Sequence, residues 1–194
     1  MNTTLYFLRH GMLEDEKEGV LHNPNDPVSL SEVGRKQITD AAKTLKEEGI
    51  EVLISSTETR TRDSAALIKE QTFIPVQLVE QLSGRNWGSW AGRKWNDVQE
   101  ELSSLTLQQR YMVTPPGGES WKDFESRVVT SLDRIVSEHI GKKICLVSHG
   151  SVIRVLLPKV FGLFVEESFK YYPDYGSLST VEHDGLEYVR PRLV

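Results

Sequence analysis

Short apolar runs and longer stretches with a single apolar face alternate along the chain. Leu5-Tyr6-Phe7-Leu8 is an apolar run cut off by a polar segment, which predicts a first buried strand. From Ser31 to about Glu48, apolar residues at Ile38, Ala41, Ala42 and Leu45 fall on one face of a helix, and Gly49 is placed to close it. Ser31, or Ser29 together with Glu32, is placed to cap its start. Val52-Leu53-Ile54 predicts a second strand, residues from about Thr59 to Glu70 a helix, and Pro75 to Val79 a third strand.

An irregular stretch rich in Gly and Trp follows from Leu82 to Gly92, with two or three short helices expected between Lys94 and Tyr111. Pro115-Pro116-Gly117-Gly118 breaks the chain. Beyond it, Trp121, Phe124, Val128, Leu132, Ile135 and His139 mark one face of a long helix. Lys143 to Val147 predicts a fourth core strand, followed by a helix from Ser151 to about Phe161 that Pro158 is expected to kink or shorten. Ser177 to Val189 reads as a hairpin turning at His183-Asp184-Gly185.

Strands alternating with helices predict an α/β fold, a three-layer α/β/α sandwich with a mostly parallel central sheet. With no repeat, low-complexity tract or linker in view, residues 1–194 are expected to form one domain, with a substrate-facing insertion at about 82–116. Sites in such folds lie beyond the carboxyl ends of the strands. That rule places Gly11, Ser55-Ser56, Ser83-Gly84 and His149-Gly150 along one rim.

The composition, 38% hydrophobic and 26% charged, is that of an ordinary globular chain. A net charge of -5 without a basic stripe argues against a nucleic-acid partner. The single cysteine, Cys145, rules out an intrachain disulfide and sits in an apolar run as a buried thiol. No secretory signal and no membrane-spanning stretch are visible, so the expectation is a cytoplasmic protein with no membrane partner. Oligomeric state is left open.

Candidate chemistry collects on the rim. Strand one ends in Arg9-His10-Gly11, the fourth core strand ends in Ser148-His149-Gly150 before a helix, and Arg60 opens the helix after strand two. A helix start is a ready anion site, and glycine lets an anion approach the backbone, which makes Gly11 and Gly150 candidate phosphate contacts. Arginine gives forked, permanently charged contacts to phosphate oxygens, and a neutral imidazole is a competent nucleophile near pH 7. Taken singly, His149 reads equally well as a structural histidine and Arg60 as a surface residue; the joint placement carries the inference. His22, His139 and His183 lack such a context, and the tryptophans at 87, 90, 95 and 121 read as packing.

The chain resembles the histidine phosphatase superfamily, in the branch that contains cofactor-dependent phosphoglycerate mutase. The matching segments are Leu8-Arg9-His10-Gly11, Leu30 to Gln37, Ser55-Ser56 with Arg60 and Ser64-Ala65, Trp87 to Gly92, Pro115 to Ser120, and Val147 to Arg154. The resemblance implies a phosphoglycerate mutase-like fold and a phosphate pocket of Arg9, His10, Arg60 and His149. It also implies a metal-independent and cofactor-free hydrolysis of small phosphate monoesters, with His10 phosphorylated in turnover.

Two departures stand out. Where family members often carry Thr and Asn after the first motif, this chain has Leu13 and Glu16. At the family's usual position for the general-acid glutamate stands Gly84. Glu119, Glu80 or Glu16 is then left to supply the proton, with Glu119 preferred. Otherwise the enzyme favours esters with good leaving groups, or the chain is a phospholigand-binding pseudophosphatase of weak activity. The mutase reading ranks lowest, because the paired arginine expected before the Pro-Pro segment is here Gln109-Arg110.

Overall fold

A computed structural model describes residues 2–14, 19–24, 26–162 and 173–189. Along the chain run β1 (Thr3–Arg9), α1 (Glu32–Glu48), β2 (Val52–Ser55), α2 (Thr59–Thr72), β3 (Val76–Leu78), α3 (Trp95–Glu101), α4 (Leu107–Met112), α5 (Trp121–Glu138), β4 (Lys143–Ser148), α6 (Gly150–Val160), β5 (Leu178–His183) and β6 (Tyr188–Val189). The sheet order is β3-β2-β4-β1-β5-β6. The β1–β4, β2–β4 and β2–β3 pairs are parallel, whereas β5 and β6 add an antiparallel edge.

Alternation along the central strands sorts the core into two layers. Leu5, Phe7, Val52, Ile54, Ile144 and Leu146 face α5 and α6 on one side. Tyr6, Leu8, Leu53, Cys145 and Val147 face α1 and α2 on the other. Both faces of β1 and β4 are therefore buried, and their sequences read as continuous apolar runs rather than as alternation.

Local signals fix the helix ends. The Ser31 side chain accepts the Gly34 N–H at 3.0 Å, so Ser31 rather than Ser29 is the cap, and Gly49 closes α1 in the left-handed region at φ 69°. The expected end of α2 near Glu70 falls two residues short: the helix runs to Thr72, and Phe73 takes the left-handed cap at φ 60°. Pro158 lies within α6, whose bounds are Gly150–Val160. His139 ends the α5 face rather than extending it: it caps the helix, with Nδ1 2.9 Å from the Ile135 carbonyl oxygen.

Two close backbone approaches set the rim. After β1 the chain crosses the first turn of α1 so tightly that a Cβ on Gly11 would lie 2.4 Å from the Gly34 carbonyl oxygen, and one on Gly34 would lie 2.1 Å from that of Met12. Near the end of β4, the Ser148 hydroxyl donates to the Leu82 carbonyl at 2.7 Å, drawing the irregular 82–92 stretch over the sheet edge.

Candidate active site

The ends of β1, β2 and β4 deliver His10, Arg60 and His149 to a cleft of about 350 Å³ that Arg9, Gly84 and Gly150 also line. Arg9, His10, Arg60 and His149 are each at most 5% exposed. His10 Nδ1 lies 2.9 Å from the Gly11 carbonyl oxygen. A carbonyl only accepts, so Nδ1 carries the proton and Nε2 keeps its lone pair. Burial, reinforced by the charges of His149, Arg60 and Arg9, holds the His10 pKa well below the ordinary histidine value, which keeps the ring neutral.

Arg60 Nε donates to His149 Nδ1 at 3.2 Å, while its Nη1 is buried with no hydrogen-bond partner. The guanidinium of Arg9 lies 3.5 Å from the centre of the Tyr175 ring, and its Nη1 donates to the Pro173 carbonyl at 2.7 Å. Gly150 leaves room for that side chain, since a Cβ there would come within 3.2 Å of Arg9 Nε. The rings of His10 and His149 stand edge to face, 5.3 Å between centres. Two arginines and an imidazole with a lone pair at Nε2, all nearly buried, suit the equatorial oxygens and the phosphorus of a phosphoryl group.

Two of the carboxylates expected to serve the site, Glu119 and Glu80, are not brought to it. Glu119 is held by Arg127, with Oε1 2.7 Å from Nη2 and Oε2 2.9 Å from Nε, and it also accepts the Asn86 N–H at 2.8 Å. Arg127 further donates to the carbonyls of Gln81, Ser83 and Gly84, so the pair fastens the strap that carries Gly84. Glu80 is exposed on the 3₁₀ turn Glu80–Leu82, away from the cleft lining. Glu16 lies outside the described residues. Gly11 is also set back from the cleft, and its N–H donates to Ser64 Oγ at 3.3 Å. Gly84 lines the cleft, and Leu13 stands there where a Thr was looked for.

Several lining residues had not been singled out. Arg85 is 1% exposed and lies among Trp87, Trp90 and Trp121, at 4.4, 5.7 and 4.6 Å from the ring centres. Burial lowers its pKa to about 10, against the opposing charge of Glu119. Trp87, Trp95 and Trp121 pack on one another as expected, yet all three also face the cleft, as do His22, Arg154 and Tyr175. Glu58 is 5% exposed, with Oε1 3.0 Å from His149 Nε2. Its place two residues before Arg60 was the only available signal.

The model for the histidine phosphatase superfamily (branch 1) matches residues 5–191. The chain belongs to that family. It is 32% identical, over 97% of its length, to a bifunctional protein of Mycobacterium tuberculosis, and it spans 53% of that relative. A 2,3-bisphosphoglycerate-dependent phosphoglycerate mutase of Methylobacterium sp. is 31% identical over 86% of this chain and 84% of its own. A metal-independent phosphoserine phosphatase of Arabidopsis thaliana is 30% identical over 81% of this chain and 68% of its own. Among solved structures, a mycobacterial glucosyl-3-phosphoglycerate phosphatase complexed with VO3 superimposes with a TM-score of 0.80 at 25% identity, covering 96% of each chain. The phosphoglycerate mutase-like fold expected from the sequence is the fold of this member of the histidine phosphatase superfamily.

Proposed function

We propose that this chain is a metal-independent phosphatase that hydrolyses phosphate monoesters through a phosphohistidine on His10. The observation that carries the reading is the His10–Gly11 hydrogen bond, which ties up Nδ1 and leaves Nε2 as the nucleophile beside Arg60 and His149. Arg9 and Arg60, with the backbone at Gly150, hold the phosphoryl oxygens. Water then attacks the phosphohistidine, and phosphate leaves. Relatives named as phosphatases support this class of reaction, and the cleft lining supports the 82–116 stretch as the substrate-facing insertion of a single domain.

The substrate is a small phosphorylated molecule, as the volume of the cleft suggests. Among the described residues no helix is long and apolar enough to cross a membrane. A mutase reading has relatives in its favour, but the single Arg110 spends its guanidinium on the carbonyls of Leu105 and Ser103, away from the cleft. A phospholigand-binding protein of weak activity is the second reading, favoured by Gly84.

Turnover of p-nitrophenyl phosphate with and without chelator, by the unaltered protein and by His10→Ala, tests the proposal. Chelator-resistant turnover that His10→Ala loses is expected. Turnover that persists in His10→Ala, or that chelation abolishes, would overturn it.

A further inference from the structure

Among the described residues, Gly84 leaves the leaving-group side of the cleft without a carboxylate, yet a buried carboxylate stands directly behind it. Glu58, just ahead of α2, has Oε1 2.8 Å from the Gly84 N–H and 3.0 Å from His149 Nε2. Ser56 Oγ lies 3.0 Å from the same imidazole nitrogen and donates onward to Thr61 Oγ1 at 2.8 Å. Glu58 does not line the cleft, whereas His149 does. A Cβ on Gly84 would sit 3.3–3.6 Å from atoms of the His149 ring, so glycine there keeps that face of the ring uncovered.

We propose that the leaving-group proton comes from His149, and that Glu58 is the positioning residue that holds His149 for this task. The proposal rests on the phosphohistidine reading above. A carboxylate behind an imidazole fixes its tautomer and stabilises the imidazolium. The arrangement transfers the acid function from a side chain on the 84 strap to a carboxylate–imidazole pair reaching the same spot from the β2–α2 turn.

Protons and electrons balance over both halves of the cycle. With a dianionic ester bound and His149 protonated, the His10 Nε2 lone pair forms the N–P bond. The P–O bond to the leaving group breaks, and its electron pair takes the proton from His149 Nδ1, leaving a neutral ring whose Nε2–H points at Glu58. Water next attacks phosphorus and gives a proton to His149 Nδ1. The N–P bond electrons return to His10, and hydrogen phosphate departs with His149 protonated again.

His149 is held in check in the resting cleft. Burial lowers its pKa, and the charges of Arg60 and Arg9 add to this, while the hydrogen bond and charge of Glu58 oppose them. Glu58 is the ionised member: burial raises its pKa, but the bonds from His149 and the Gly84 N–H outweigh that and bring it to about 2. A bound dianion draws Arg60 Nε away from His149 Nδ1 and neutralises Arg9 and Arg60, so that nitrogen is released to take the proton when it is needed. The other titratable or charged groups lining this cleft are His10 just after β1, His22 on the loop before α1, Arg85 on the strap, Arg154 on α6 and Tyr175 before β5.

The test compares glycerol phosphate, whose alkoxide needs a proton, with p-nitrophenyl phosphate, whose phenolate does not. In Glu58→Gln, kcat/KM, which excludes the shared hydrolysis of the phosphohistidine, should fall about 100-fold for the alkyl ester and by less than about 3-fold for the aryl ester. Gly84→Glu added to Glu58→Gln should restore alkyl turnover. In the unaltered protein, the alkaline limb of kcat/KM should be present for the alkyl ester and absent for the aryl ester, a readout that needs no variant to fold. Equal losses of kcat/KM on both esters, an unchanged alkyl kcat/KM, or the same alkaline limb for both would overturn the role of Glu58 and His149. A chain that turns over neither ester, or a His10→Ala protein that turns over both, removes the phosphohistidine reading itself.

Discussion

Arg60 Nε donates to His149 Nδ1 at 3.2 Å, so the resting His149 carries its proton on the nitrogen that faces Glu58. One guanidinium thus does two things: Nε sets the tautomer of the second histidine, and Nη1, without a hydrogen-bond partner among the described residues, is the proposed donor to a phosphoryl oxygen. A lysine keeps the charge but cannot make both contacts from one planar fork. Arg60→Lys should therefore lower kcat/KM on p-nitrophenyl phosphate about 10- to 100-fold, the worth of one charge-assisted hydrogen bond. Steady-state kinetics on the purified variant checks this.

Both cleft histidines are buried and hold pKa values below the ordinary one. The unfolded chain then binds more protons than the folded chain below pH ~6.5, so the stability these rings contribute is fully present above that pH and is lost as pH falls. Each should cost about 1.4 kcal/mol per pH unit of descent until its folded value is reached. Thermal melts between pH 8 and 5, a range around that reference value, should show Tm falling on the acid side. His10→Asn should flatten that dependence.

Arg127 grips Glu119 and three carbonyls of the strap that ends in Gly84. Arg127→Met keeps the stem and removes every one of these bonds. The expected loss is about 1–2 kcal/mol in denaturant unfolding, because partly buried acceptors lose their donor. Activity should fall as well, since Gly84 and Arg85 lose their fixed position. Full activity with a lowered Tm would mean that the strap keeps its position through bonds such as Ser148–Leu82 and Gly84–Glu58.

Phe73 caps α2 in the left-handed region while 83% exposed. An L-residue pays roughly 1–2 kcal/mol for that conformation, and the exposed ring returns little burial. Phe73→Gly should raise stability by about 0.5–1 kcal/mol after the glycine's own entropy is counted. A lowered Tm would show that the ring contributes contacts its exposure does not suggest.

Apolar runs made the strands legible, because β1 and β4 are buried on both faces and admit no polar interruption. The one-sided patterns of α1 and α5 were equally plain. His10, Arg9, Arg60 and His149 were readable because strand ends and helix starts place them by rule. Glu119 was misplaced for a physical reason: a loop glutamate gives no sign of its partner, and Arg127, eight residues on, captures both oxygens. Glu58 and Arg85 were illegible for the converse reason. Charged residues in polar runs read as surface, and only the tertiary fold buries one behind His149 and the other among three tryptophans.

The most direct measurement is the site of the covalent intermediate. Rapid acid-free denaturation during turnover of a phosphate ester, followed by peptide mass analysis at alkaline pH, locates any phosphoryl group. The account predicts an acid-labile phosphoryl group on the peptide containing Arg9-His10-Gly11, absent in His10→Ala. A phosphoryl group on another residue, or full turnover by His10→Ala, would contradict it.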